Sequence, residues 1–312
     1  MTCAPPLRCF AALTLLICVV AITGCQRQHE GVKLSGIGDE IIVAGKAYHT
    51  GTRVITWVEK GGYNGYHGVK PFLPRKISGK REAGEREASA QWDLGKLQTI
   101  IDQFVIHYDG HGLSRHCFAV LQERQLSVHF LLDLDGTVYQ TVDLQERALH
   151  ATTSNDRSVG IEIANVGAFP VGDARLLDHW YRKDTNGHTH IQIPPEVGDS
   201  GFQHESFAAA PIRAEVVRGS IQGEEWVQYD FTAEQYTALI KLTSALCRLF
   251  PQIKNDYPRD NRGELRRTKL PDDQLAQFGG ILGHYHIQTN KYDPGPAFQW
   301  DKLIEGVRER SK

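Results

Sequence analysis

The chain lacks an excess of charge of one sign: 35 Lys and Arg stand against 37 Asp and Glu, for a formal net charge of −2. Such a balance exerts no general pull on nucleic acid, so no nucleic-acid partner is expected. An internal repeat is also missing. So is a long apolar run, since the nearly all-apolar stretch Cys9–Ala21 is shorter than the roughly 20 residues a membrane span needs. Cysteine is scarce where a disulfide framework would need it. Of 6 Cys, Cys3, Cys9, Cys18 and Cys25 crowd the N-terminus, leaving Cys117 and Cys247 for the folded part. Both fall on the apolar side of an expected helix, so buried free thiols are expected, with a Cys117–Cys247 disulfide as the alternative in an oxidising compartment.

What is present is ordinary for a globular protein: 312 residues, 41% hydrophobic and 23% charged. That suffices for a core without staples. The N-terminus stands apart. Arg8 is the only charge before the apolar run, and polar Gln26-Arg27-Gln28 follow Cys25. This reads as an export signal over residues 1–24. Ile22-Thr23-Gly24-Cys25 resembles a bacterial lipobox, which implies that Cys25 is acylated and anchors the protein to a membrane. Gln26 rather than Asp after the Cys implies the outer membrane, facing the periplasm. Residues 25–36 read as a tether.

Residues 37–102 read as an N-terminal extension packed on the domain that follows. It carries two β-like runs, Glu40–Val43 and Arg53–Trp57. Gly61–Tyr66 is a loop rich in Gly and aromatics that either covers a groove or packs on the surface, and Lys76–Glu87 reads as a charged mobile loop. Phe104–Asp109 reads as a buried strand leading into a Gly loop, with Ser114 capping a short helix. Asp135-Gly136 between β-rich runs is the strongest hairpin signal in the chain. In the strand Ser158–Asn165, Glu162 shares a face with Gly160 and Ala164, which leaves room beside its carboxyl. Periodicity fades between about 170 and 229, so a long surface insertion is expected there. Thr232 starts a helix, with Gln235 at capping-box spacing, and Pro251 stops it. The alternation favours one α/β domain over 103–312, a central mixed β-sheet flanked by helices.

The chemistry concentrates in Gly283-His284-Tyr285-His286-Ile287-Gln288-Thr289-Asn290-Lys291-Tyr292-Asp293-Pro294-Gly295-Pro296. His284 is expected to end a strand. Asp293 is expected just before a helix that Pro296 would open. His107, His284 and Asp293 offer two imidazoles and a carboxylate, good zinc ligands that leave one coordination position for water. Glu162 could act as general base, and Lys291 could stabilise an oxyanion. On spacing alone the signal is weak, and a single His here would more often be structural.

Three segments carry a resemblance: Ile106-His107-Tyr108; Ser158 to Glu162; and Gly283-His284 with Lys291 to Pro296. They resemble, in order and spacing, the signature segments of the zinc N-acetylmuramoyl-L-alanine amidases that share the peptidoglycan recognition protein fold. The hairpin and Ala148-Leu149-His150-Ala151 also resemble that family. The resemblance implies one zinc per chain on His107, His284 and Asp293, Glu162 as base and Lys291 as transition-state stabiliser. It implies cleavage between the lactyl group of N-acetylmuramic acid and L-Ala of the stem peptide, in peptidoglycan or muropeptides. His150 and Tyr108 are expected substrate contacts, and no protein partner is implied. His286 stands where family members often have Asp, and is expected beside the ligands or on the surface. His188 and His190 are expected in a solvated loop. The rival readings are a peptidoglycan-binding module without catalysis and a zinc peptidase cutting within the stem peptide.

Overall fold

A computed structural model describes Met1, residues 38–67, Phe72, Arg75, 92–203 and 207–311. Apart from Met1, the export signal lies outside the described residues, as do Cys25, the tether and the loop Lys76–Glu87.

The chain runs β1 (Glu40–Val43), β2 (Lys46–His49), β3 (Val54–Thr56), α1 (Leu94–Gln98), β4 (Gln103–Tyr108), α2 (Ser114–Glu123), β5 (Phe130–Leu132), β6 (Val138–Gln140) and β7 (Ser158–Ile163). Then come β8 (Phe169–Pro170), α3 (Arg175–Trp180), β9 (Tyr181–Lys183), β10 (Thr189–Ile191), β11 (Val217–Ile221) and β12 (Glu224–Gln228). It closes with α4 (Ala233–Leu249), α5 (Asp272–Gln277), β13 (Gly280–Gly283) and α6 (Trp300–Arg310).

The expected mixed sheet is present, with six strands in the order β13-β4-β7-β5-β6-β3. The β5–β6 pair is antiparallel and turns at Asp135-Gly136, where Gly136 takes φ +80°; β13, β4, β7 and β5 run parallel. Parallel central strands are buried on both faces and read as apolar runs. Phe104, Val105, Ile106, Val159 and Ile161 fit that pattern with no exposed surface. The edge strand β3 pairs parallel with β6, so the segment before residue 103 supplies part of the sheet itself.

Helix α4 starts where the capping box sets it: the Gln235 N–H donates to Thr232 Oγ1 (3.0 Å), and the Thr232 N–H donates to Gln235 Oε1 (2.9 Å). Such a cap contributes about 1 kcal/mol. Leu239, Leu242 and Leu246 lie on its buried face, and α4 packs against α6. Burying each such side chain is worth roughly 1.5–3 kcal/mol.

Several local expectations need correction. Ser114 is the first helical residue of α2, not its cap; Leu113 takes the N-cap position without a side-chain bond. Pro296 does not open a helix, because α6 begins at Trp300 after a turned segment. Strand β2 escaped notice because Lys46 and Ala47 interrupt its apolar pattern. Residues 170–229 are not structureless. A three-stranded sheet (β11-β12-β8) and the β9–β10 hairpin fold there, around a second core that includes Leu177, Trp180, Tyr181 and Ala209. Both Cys117 and Cys247 are free. The Gly61–Tyr66 loop packs inward at Tyr63, whose ring lies 5.2 Å from Phe118 and 4.5 Å from Tyr139.

Among the described residues, no helix is long and apolar enough to cross a membrane.

Candidate metal centre and active-site cleft

The sheet delivers the first two site residues by register. His107 on β4 and Glu162 on β7 are direct partners across a parallel pair, so their side chains leave the same face. On the other side of β4, Gly283 pairs with Ile106. His284 therefore leaves the end of β13 beside His107. A 3-10 turn, His284–His286, then bends the chain away. It returns at Asp293, whose carbonyl accepts the Tyr285 N–H at 3.3 Å.

The three expected ligands converge. His107, His284 and Asp293 each offer a ligand atom within 4.8 Å of the other two, and all three are buried. Asp293 Oδ2 lies 2.7 Å from His107 Nδ1 and 3.1 Å from His284 Nδ1. The far nitrogens face partners of their own: His107 Nε2 lies 3.1 Å from His150 Nδ1, and His284 Nε2 lies 2.6 Å from Gln288 Oε1. Gln288 Oε1 and Asp293 Oδ2 both only accept, so the His284 ring faces an acceptor from each of its nitrogens. A cation in place of a proton on the Nδ1 side would be held by the imidazole and the carboxylate together.

Electrostatics agrees with that donor set. Burial and the neighbouring His284 push the His107 pKa down to about 4, so its imidazole is neutral at pH 7, the form that binds metal. Burial pushes the Asp293 carboxyl up, yet the His284 and His107 imidazoles hold it well below the usual carboxylate range. Burial, then the charges of Asp293 and Asp109, raises the Glu162 pKa well above the ordinary value. A carboxyl made more basic than usual suits proton transfer near neutral pH.

A cleft of about 640 Å³ opens over this cluster. His107, His284, Asp293, Glu162, Lys291, His150 and Tyr108 all line it. The room expected beside Glu162 is taken at Gly160 by the His150 ring, since a Cβ there would lie 2.5 Å from two of its atoms. Asn155 shapes the loop that carries His150, with Oδ1 accepting the N–H groups of His150 (3.0 Å) and Ala151 (2.6 Å). Asn155, Gln288, Asn290 and Arg124 line the cleft as well and were not singled out from sequence. Polar residues in loops carry no periodic signal.

Two histidine expectations resolve differently. His286 is neither at the surface nor on the face of His284. It is fully buried, accepts the Gly283 N–H on Nδ1 (2.9 Å) and donates from Nε2 to the Arg266 carbonyl (2.7 Å). The 3-10 turn, in place of a strand, rotates it away. His188 and His190 are exposed beside Asp184, as expected, but His190 lies on β10 rather than in a loop.

A family model, N-acetylmuramoyl-L-alanine amidase, matches residues 97–296. The chain belongs to this family. Its reaction is hydrolysis of the amide between N-acetylmuramic acid and L-alanine, and the match spans every expected ligand and catalytic residue. No curated protein matches the chain. Among solved structures, the chain is similar to AmpD at 19% identity, covering 67% of this chain and 86% of that one with a TM-score of 0.33. It is similar to E. coli AmiD, solved with anhydro-N-acetylmuramic acid-L-Ala-D-gamma-Glu-L-Lys, at 21% identity over 75% of this chain and 65% of that one, TM-score 0.35. AmpDh3 of Pseudomonas aeruginosa, in complex with an anhydromuramic pentapeptide, is 16% identical over 74% of this chain and 66% of that one, TM-score 0.37.

Proposed function

We propose that this amidase is a zinc enzyme of the cell envelope that releases stem peptides from peptidoglycan or muropeptides. The observation that carries the proposal is the buried His107, His284 and Asp293 cluster at the base of a cleft that Glu162 and Lys291 also line. These three side chains would hold the ion. Zinc there would act as a Lewis acid and bring the pKa of water toward about 7. Glu162 takes a proton from the attacking water and returns it to the departing amine of L-Ala. The Lys291 ammonium stabilises the negative charge that gathers on the carbonyl oxygen. Tyr108 and His150 form cleft wall against the substrate. The deciding experiment is mass spectrometry of peptidoglycan digested with and without a chelator. Free stem peptides starting at L-Ala, lost on chelation, are expected. Cuts within the stem peptide would favour a peptidase, and binding without release a recognition module.

The same proposal places the protein on a lipid anchor. Ile22-Thr23-Gly24-Cys25 supports acylation at Cys25, and Gln26 supports sorting to the outer membrane. Cys25→Ser is expected to move the protein from the membrane fraction to the soluble one; unchanged retention would overturn the anchor.

A further inference from the structure

The cleft wall that carries His150 is gripped from outside the matched family segment. Leu149, His150, Ala151, Thr152 and Asn155, all on the loop between β6 and β7, line the cleft. The family match starts at residue 97, yet the root of this loop is bonded to the N-terminal extension. The Ile42 N–H donates to Gln140 Oε1 (2.7 Å), and the N–H groups of Ala44 and Gly45 donate to the two Asp143 carboxylate oxygens (2.8 and 2.7 Å). The Tyr66 hydroxyl donates to Glu146 Oε1 (3.3 Å) and accepts the Asp143 N–H (3.1 Å).

Arg75 goes further, because it joins the two ends of the loop. Its Nη2 donates to the Leu144 carbonyl (2.9 Å), near where the loop begins. Its Nη1 donates toward the carbonyls of Asn155 (3.4 Å), Asp156 (3.2 Å) and Ser158 (2.9 Å), where the loop runs into β7. Nη2 also lies 2.9 Å from His129 Nε2, and the His129 ring stands edge-on to the His150 ring, 5.9 Å between centroids. Arg75 is only 3% exposed. Burial pushes its pKa down to about 9, so it keeps its charge at pH 7. A charge is costly to bury unless it is well bonded. The carbonyls at both ends are neutral, and a planar fork with several donors serves them at once where a single ammonium would not.

We infer that Arg75 is a positioning residue for the cleft wall, a clamp supplied by the N-terminal extension that sets where His150 meets substrate. Without the fork, the carbonyls at the two ends of the loop lose their shared donor, and the ends are free to part. Asn155, whose carbonyl Arg75 reaches, also holds the His150 and Ala151 N–H groups through Oδ1. A shift of the clamped end therefore passes directly to His150. The inference rests on the proposed contact between His150 and substrate for its consequence, but the clamp is a property of the chain alone.

The test uses Arg75→Met and Arg75→Lys in the full chain. Hydrogen-exchange mass spectrometry reads the loop, and kinetics on a purified N-acetylmuramoyl tripeptide read KM and kcat separately. Arg75→Met is expected to speed exchange within residues 144–158. It is expected to lower kcat/KM about tenfold to a hundredfold, the scale of a small misplacement, mainly through KM, as loss of a ground-state contact does. Arg75→Lys keeps the charge but not the fork, so it should follow Arg75→Met. If Arg75→Lys matches the parent, charge alone matters and the clamp is refuted. Unchanged exchange in residues 144–158 refutes it too. Faster exchange with KM unchanged overturns the substrate role, and protection lost across the whole sheet marks Arg75 as a plain core residue. If Arg75→Met does not fold, Arg75→Lys decides by the same readouts. A parent that releases no peptide would instead refute the proposed function, while hydrogen exchange still decides the clamp.

Discussion

The two halves of the candidate site are held by different physics. His107 and Glu162 stand on β4 and β7, and their separation follows from a parallel backbone ladder. His284 and Asp293 stand on an irregular loop, where turns and side-chain amides do the work of a ladder. Their carboxyls differ accordingly. Burial drives Glu162 up on the strand side, whereas two imidazoles hold Asp293 down on the loop side. Carboxyls whose environments push their pKa values apart have divided their roles, one to carry a proton and one to stay charged.

The largest effect expected from this division is on turnover. Glu162→Gln keeps the shape of the side chain and removes the proton acceptor. Loss of general base catalysis costs about 10²–10⁴ in rate, and bound zinc should remain near one per chain, because Glu162 is not among the converging ligands. Kinetics on a muropeptide with metal analysis of the same sample checks both. A variant with full activity would remove Glu162 from the mechanism and leave His107 as the strand half's contribution to the site.

A smaller effect separates how firmly the halves are held. On the loop, Gly295 takes φ +88°, and a Cβ there would lie 2.1 Å from Gln228 Oε1, an amide already fixed by its bonds. Gly295→Ala is therefore expected to cost about 1–3 kcal/mol, as non-Gly residues in rare backbone regions do. On the strand, the atoms nearest to a Cβ at Gly160 belong to the His150 ring, and a loop-borne ring can shift. Gly160→Ala should destabilise less in denaturant melts. Equal losses would mean that the two halves are equally rigid.

The same division explains what the sequence disclosed. The strand half was readable because ladders impose patterns: Val159, Ile161 and Ile163 alternate with Gly160 and Glu162, and the Asp135-Gly136 turn fixes a register. The ligands of the loop half were readable as residue types in a resembling motif. Its conformation was not, and a 3-10 turn sent His286 into the core where a strand would have placed it beside His284. The amide contacts that hold this loop left no trace at all. Gln222 and Gln228 gain their meaning only from partners distant in the chain. Residues 170–229 looked featureless because strands of two to five residues are too short for alternation to stand out, and because Trp180, Tyr181 and Ala209 build a core from several separate segments.

The smallest effect lies in the pH dependence of the metal-free protein. Glu162 titrates at 4.5 in an unfolded chain and well above that value when folded. Below 4.5 it is protonated in both states, and the folded state has the full benefit of its neutral form. As pH rises past 4.5 the unfolded chain sheds this proton first, so folding is penalised and stability falls through the window up to the folded pKa. Gln at position 162 carries no proton to lose. Thermal melts of metal-free parent and Glu162→Gln should therefore diverge as pH rises from 4 to 8, with the variant gaining on the parent. Loading zinc should shrink the gap, because a cation beside Asp293 offsets the repulsion that helps hold Glu162 up. Parallel melting curves across that range would mean that the strand-side carboxyl is ordinary, and the contrast with Asp293 would rest on the loop half alone.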